Sequence, residues 1–213
     1  MASHLEQRQQ WLQLQQRLQD KQLMSTDDAT LSLRIPGTDK MWFGTVADAI
    51  PRQIVLGWAA DTKSAAMTHA AVYGARSDVG AIAVGGGSYG RCLADFGGTM
   101  PQAFDEQARH LGPMARPNTD LRSISLSLRQ GGNLVQVTQG LACLGMTAMR
   151  LALNAELFEK CAKAYVLAVA SGGRVKPLPW LVRFVANRRL HKDEQRASRR
   201  FSSGLLPEET KGY

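Results

Sequence analysis

The order of apolar and polar positions gives most of the architecture. Residues 3–23 read as a helix. Ser3 can cap it with Glu6 three residues on, Leu5, Trp11, Leu12, Leu14 and Leu18 favour one side, and the many glutamines are good helix formers that can face water. The stretch 24–28 breaks the pattern. From Ala29 to Ile35 the chain alternates, with Leu31, Leu33 and Ile35 on one face and Thr30, Ser32 and Arg34 on the other, which predicts a half-buried strand. Pro36-Gly37-Thr38-Asp39 is a turn, and 40–43 and 53–58 are further short strands.

A helix opens at Asp61 or Thr62 and runs to about Arg76. The apolar run 79–84 has strand length and closes on Gly85-Gly86-Gly87. Short helices are predicted over 89–96 and 101–111, residues 121–129 fit either state, and 134–138 and 141–144 read as paired strands or as one bent strand around Gly140. Residues 147–170 carry the strongest helical period, through Leu151, Leu157, Phe158, Cys161, Tyr165 and Val169, and Ser171-Gly172-Gly173 ends it. A shorter helix over 177–190 precedes a mobile tail. With no repeat and no long linker, the pattern predicts one α/β domain over 1–185 and a basic tail over 186–213.

Composition narrows the class. A chain of 213 residues, 44% apolar and 21% charged, can bury a good core in one domain. No stretch approaches the roughly 20 apolar residues of a membrane span, and the first residues have no apolar core of a secretory signal. Cys92, Cys143 and Cys161 are odd in number and widely spaced, which argues against disulfides and structural zinc and fits a reducing cytoplasm. The net charge of +8 is concentrated: nine basic residues lie between Arg174 and Arg200 against only Asp193 and Glu194. Such a run can meet nucleic acid or an anionic membrane. A solvated arm, or one docked on an acidic neighbouring subunit, is its commoner meaning, so no membrane or nucleic-acid partner is assigned.

Ser64 before a helix holding His69-Ala70-Ala71-Val72-Tyr73, then Arg76-Ser77-Asp78-Val79-Gly80-Ala81-Ile82, then Gln139-Gly140-Leu141 before a long helix, make a specific order. Together with the Leu31-Ser32-Leu33-Arg34 strand, this resembles the class II aldolase/adducin family over about residues 5–185. The resemblance implies an α/β/α sandwich around a mostly antiparallel sheet, and a homo-oligomer, a tetramer by family analogy. In the family's enzymes a divalent metal such as zinc, held by three histidines and often a glutamate, polarises a carbonyl or hydroxyl pair for aldol cleavage or epimerisation.

Carried onto this chain, the histidine positions fall at Val84, Gly86 and Gln139, and the glutamate at Ala65. Valine, glycine and alanine offer no donor side chain, so no metal ligand and no cofactor is carried over. The family's phosphate-site residues become Ala29-Thr30 and Lys63-Ser64-Ala65. A pocket lined by Thr30, Ser32, Lys63, Ser64, Gly86 and Gln139 suits a small anion; equally, the hydroxyls can cap backbone and Lys63 can face water.

Three further features carry candidate chemistry. Gly85-Gly86-Gly87-Ser88-Tyr89-Gly90 is glycine-rich but matches neither nucleotide-loop spacing. Glu106 and His110 lie one helical turn apart, as an acid/base pair or as a surface contact. His69 and Tyr73 share that spacing, and a satisfied, partly buried histidine is expected there. The resulting expectation is a binding or assembly subunit that has lost metal-dependent chemistry. Its alternatives are a diverged aldehyde-lyase or epimerase acting on a small sugar phosphate or carbonyl compound, and a nucleic-acid contact through the basic tail.

Overall fold

The computed structural model describes residues 4–57, 65–118, 120–129 and 132–209, apart from the side chain of Arg122. In chain order the main elements are α1 (His4–Asp20), β1 (Thr30–Arg34), β2 (Lys40–Thr45), β3 (Arg52–Val55), α2 (Ala65–Ala75), β4 (Ala81–Gly85), α3 (Ser88–Cys92), α4 (Ile124–Ser127), β5 (Leu134–Val137), β6 (Gly140–Gly145), α5 (Ala148–Ala170) and α6 (Trp180–Ser202). The strands form one sheet in the order β3-β2-β1-β4-β6-β5, and every neighbouring pair is antiparallel.

Strand alternation divides the core in two. Leu31 and Leu33 of β1 and Ala81 and Ala83 of β4 face α1 and α5, where Trp11, Leu14, Leu18, Leu151, Phe158 and Cys161 complete one apolar layer. Ile82 and Val84 point the other way, toward α2 and α4, with Met41, Phe43, Val72, Tyr73 and Leu128. The architecture is therefore the α/β/α sandwich that the resemblance implies. The outer edge of β5 is covered by main-chain bonds from Ala115 and Asn118, which blunts a row of unpaired groups. Among the described residues no helix is long and apolar enough to cross a membrane.

Four local expectations change. The polar face of β1 is not solvated: Thr30 and Ser32 are buried, because α2 lays His69 and Tyr73 over them. Gln7 and Gln15 of α1 are buried as well; the Gln15 amide donates to the carbonyls of Thr45, Val46 and Asp48 and ties α1 to the end of β2. Over 101–111 only 105–111 is helical, and its Gln107–Leu111 part is a turn of the wide π type; the Gln107 side chain bonds Pro101 and Ala103 and holds the segment before it open. Finally, the last helix does not stop at Leu190. It continues to Ser202, through the 185/186 boundary, and buries Leu190, Glu194, Ala197 and Phe201 on one stripe.

Two interactions seat α6. Arg76 forks onto Asp78 at 2.7 Å through both Nε and Nη2, reaches Glu194 at 2.9 Å, and donates to Gly132 and Asn133. Burial pushes the Glu194 carboxyl up against the pull of Arg76. Phe201 lies under the Arg34 guanidinium, which also stacks on Tyr73. Gly204, with φ +71°, then reverses the chain: its N–H bonds Phe201 O and that of Leu205 bonds Arg200 O, a paired closure that favours glycine at the left-handed position.

Candidate functional site

The candidate site sits where β4 ends and β6 begins. Antiparallel register sets Val84 between Thr30 and Ala142, and Gly85 opposite Leu141. Val137 pairs with Gly140, so Thr138 and Gln139 form a two-residue hairpin tip. The Thr68 hydroxyl donates to the Gln139 carboxamide at 3.4 Å, which brings the first turn of α2 to that tip. Val84 is buried in the apolar layer, Gly86 makes an isolated bridge to Met24, and Gln139 is exposed. Among the described residues, this end of the sheet thus presents Val84, Gly86, Ala65, the Thr68 hydroxyl and the neutral amide of Gln139. That set does not fit a divalent metal, which needs lone-pair donors from imidazole, carboxylate or thiolate. Among the described residues no group of three or more His, Cys, Asp or Glu is placed to hold one.

Beneath the same corner lies a buried polar chain. His69 is fully buried; Thr30 Oγ1 bonds its Nε2 at 2.9 Å and Ser32 Oγ bonds its Nδ1 at 2.7 Å. Ser32 Oγ also meets the Tyr73 hydroxyl at 2.9 Å, and Tyr73 reaches Gly80 O at 3.4 Å. Desolvation pulls the imidazole down to about 3, so it stays neutral, with one nitrogen donating and the other accepting. Thr30 and Ser32, the sequence-level candidates for anion contact, have their hydroxyls engaged by this histidine. Lys63 and Ser64 lie outside the described residues.

The structure does not bring Glu106 and His110 into one centre. The Glu106 side chain is half exposed and pairs at 3.6 Å with Lys160. His110 points inward, and Arg150 Nη1 donates to its Nδ1 at 3.1 Å. That bond requires an unprotonated acceptor nitrogen. Burial, then the charges of Arg150 and Arg109, lower His110 to about 4.

The glycine-rich loop is filled from within. Glu159, on α5, accepts from Tyr89 N at 2.7 Å and Gly90 N at 3.0 Å, the amides that open α3. A Cβ at residue 87 would fall 2.5–2.7 Å from that carboxylate, so a larger residue there requires the Glu159 side chain to shift. Sequence reasoning passed over the roles of Glu159 and Arg150 and the joining of Glu194 to Arg76 and Asp78, since Glu159, Arg150 and Glu194 work through partners far along the chain. One clue was present: the only two acids in the basic run, Asp193 and Glu194, both turn toward the body and pair with Arg109 and Arg76.

No family model and no curated protein matches the sequence. Solved structures do. The chain is similar to an L-fuculose 1-phosphate aldolase from Glaciozyma antarctica PI12, at 16% identity and TM-score 0.71, over 95% of this chain and 92% of that one. A putative aldolase/epimerase/decarboxylase from Escherichia coli matches at 15% and 0.67, over 85% and 97%. An aldolase II superfamily protein from Pseudomonas syringae matches at 12% and 0.65, over 93% of each chain. At these identities the likeness is one of fold: the chain has the class II aldolase fold.

Proposed function

We propose that this chain is a class II aldolase-like protein that has lost the fold's metal-dependent lyase or epimerase chemistry and serves as a binding or assembly subunit. The observation that supports this reading is the residue set around the end of β4: Val84, Gly86 and Gln139, with Ala65 at the start of α2, are the positions to which the resemblance assigns three imidazoles and a carboxylate, and none of the four side chains is an imidazole, carboxylate or thiolate. His69, on α2, is held by two hydroxyls and kept neutral by burial. Retention of aldehyde-lyase or epimerase activity on a small sugar phosphate remains the second reading, and the similarity to an L-fuculose 1-phosphate aldolase favours it.

Assembly is supported by the first turns of α6. Trp180, Leu181, Val182, Phe184 and Val185 are each 40–67% exposed, and Trp180 stacks on Phe184 at 5.3 Å. Contiguous exposed apolar surface of this kind is what subunit contacts cover. Sedimentation velocity of the full chain is expected to show an oligomer, and Trp180→Lys with Phe184→Lys to shift it toward monomer with unchanged far-UV circular dichroism. A monomer for the unaltered chain at tens of micromolar contradicts assembly. Turnover of L-fuculose 1-phosphate above background contradicts lost chemistry.

A further inference from the structure

The other end of the sheet carries a second concavity. Met146 follows β6 at the end opposite Gly140 and Gln139, and α5 starts just beyond it. Between that start, the second half of α6 and residues 205–209 lies a cavity of about 480 Å³. Four arginines line it: Arg150, Arg196, Arg199 and Arg200. An adjoining cavity of about 390 Å³ shares Met146, Thr147, Pro207 and Glu209 and adds Arg17 and Arg34. The Nε atom of Arg34 is buried without a hydrogen-bond partner. A volume of this order accommodates a small organic molecule.

The charges around the trough are unevenly satisfied. Asp193 bonds Arg109 at 2.6 Å and Arg196 at 3.3 Å. Among the described residues Arg199 has no carboxylate partner, and the one carboxylate that pairs with Arg200 is Glu208, at 3.4 Å, which is 82% exposed. Besides Asp193, the lining carboxylates are Glu208 and Glu209, and both come from the short segment that lies over the trough. That segment is held by the closure at Gly204, by Arg200 Nε donating to Leu206 O at 3.1 Å, and by the Glu208 contact. Planar guanidinium groups converging on one concavity match the geometry of phosphate and carboxylate oxygens.

We propose that this arginine-lined trough binds a small molecule bearing two or more oxyanion groups, in competition with the carboxylates of the strap, Glu208 on Arg200 and Glu209 in the trough lining. The ligand displaces the 205–209 strap and takes over Arg196, Arg199 and Arg200. The site is independent of the corner at Val84 and Gln139, so it stands or falls separately from the loss of metal chemistry.

Calorimetric titration of the full chain with pyrophosphate and with citrate tests it. Saturable binding of at least one is expected; pyrophosphate alone marks a phosphoryl ligand, and citrate alone a carboxylate. Glu208→Gln with Glu209→Gln should tighten binding several-fold by removing the internal competitors. Arg196→Ala with Arg199→Ala should weaken it at least tenfold, with the thermal midpoint recorded to show that the fold is kept. Arg188→Ala with Arg189→Ala, on α6 outside the trough, should leave it within twofold. No binding to either the unaltered or the Glu208/Glu209 variant chain overturns the proposal. An equal loss in the Arg188/Arg189 variant also overturns it, since that describes a polycation rather than a site.

Discussion

At the scale of single residues, the decisive feature is a histidine kept from titrating. Native His69 resists protonation down to about pH 3, whereas in the unfolded chain it takes a proton near 6.5. Between those values the unfolded state binds more protons, so stability is present above about pH 6.5 and is lost as pH falls toward 3. His110, lowered to about 4, adds in the same direction. His69→Asn should therefore flatten the dependence of unfolding free energy on pH between 4 and 6 by up to one proton, about 1.4 kcal/mol per pH unit. Urea unfolding at pH 4, 5 and 6 measures it. An unchanged slope would mean that the native imidazole is already charged and the hydroxyl network misassigned. The sequence announced the spacing of His69 and Tyr73 but not their partners, because Thr30 and Ser32 are 39 and 37 residues away from His69 and meet it only once β1 lies under α2.

At the scale of elements, the alternation over 29–35 and the helical period over 147–170 were strong enough to place β1 and α5, and the apolar run 79–84 placed β4. The second half of α6 was obscured for a physical reason. Its inward stripe is Leu190, Glu194, Ala197 and Phe201, and a glutamate at a core position breaks the apolar repeat. Glu194 is tolerated there because Arg76 arrives from 118 residues away, a partner that no local window contains. The π turn at Gln107–Leu111 was hidden likewise, since a side chain of its own first residue holds back the segment before it.

The end of α1 illustrates a smaller conflict. Leu23 N bonds Leu18 O and Gln22 N bonds Gln19 O, the same closure as at Gly204, but the left-handed position is held by Gln22 at φ +55°. A side chain there costs about 1–2 kcal/mol, partly offset by the greater freedom of glycine in the unfolded chain. Gln22→Gly should stabilise by about 0.5–1 kcal/mol and raise the melting temperature by roughly 1–4 °C. A lower melting temperature in calorimetry would contradict this account of the turn.

For the whole molecule, one sheet serves two unlike ends. One end carries Val84, Gly86 and the Gln139 amide around the start of β6, while the other gathers arginines under the 205–209 strap. The resemblance read from the sequence assigned residues to the first end one by one; the second depends on α6 folding back and was legible only as a run of positive charge. The Arg76–Asp78–Glu194 cluster ties that helix to the body. Arg76→Met leaves two buried carboxylates facing each other and should cost about 3–5 kcal/mol. It should also open tryptic sites at Arg188, Arg189 and Lys192 under native conditions. Digestion at the unaltered rate would show that α6 is held by its apolar stripe alone.

The central claim, that the metal corner of this fold has been emptied of donors, is tested most directly by metal content per subunit. The protein is purified without a histidine tag, equilibrated with zinc and with manganese, desalted and analysed by elemental analysis. The account predicts metal at background, well below one equivalent per chain. One equivalent retained, and lost on adding a chelator, would contradict it and would mean that ligands outside the Val84–Gly86–Gln139 corner complete a working centre.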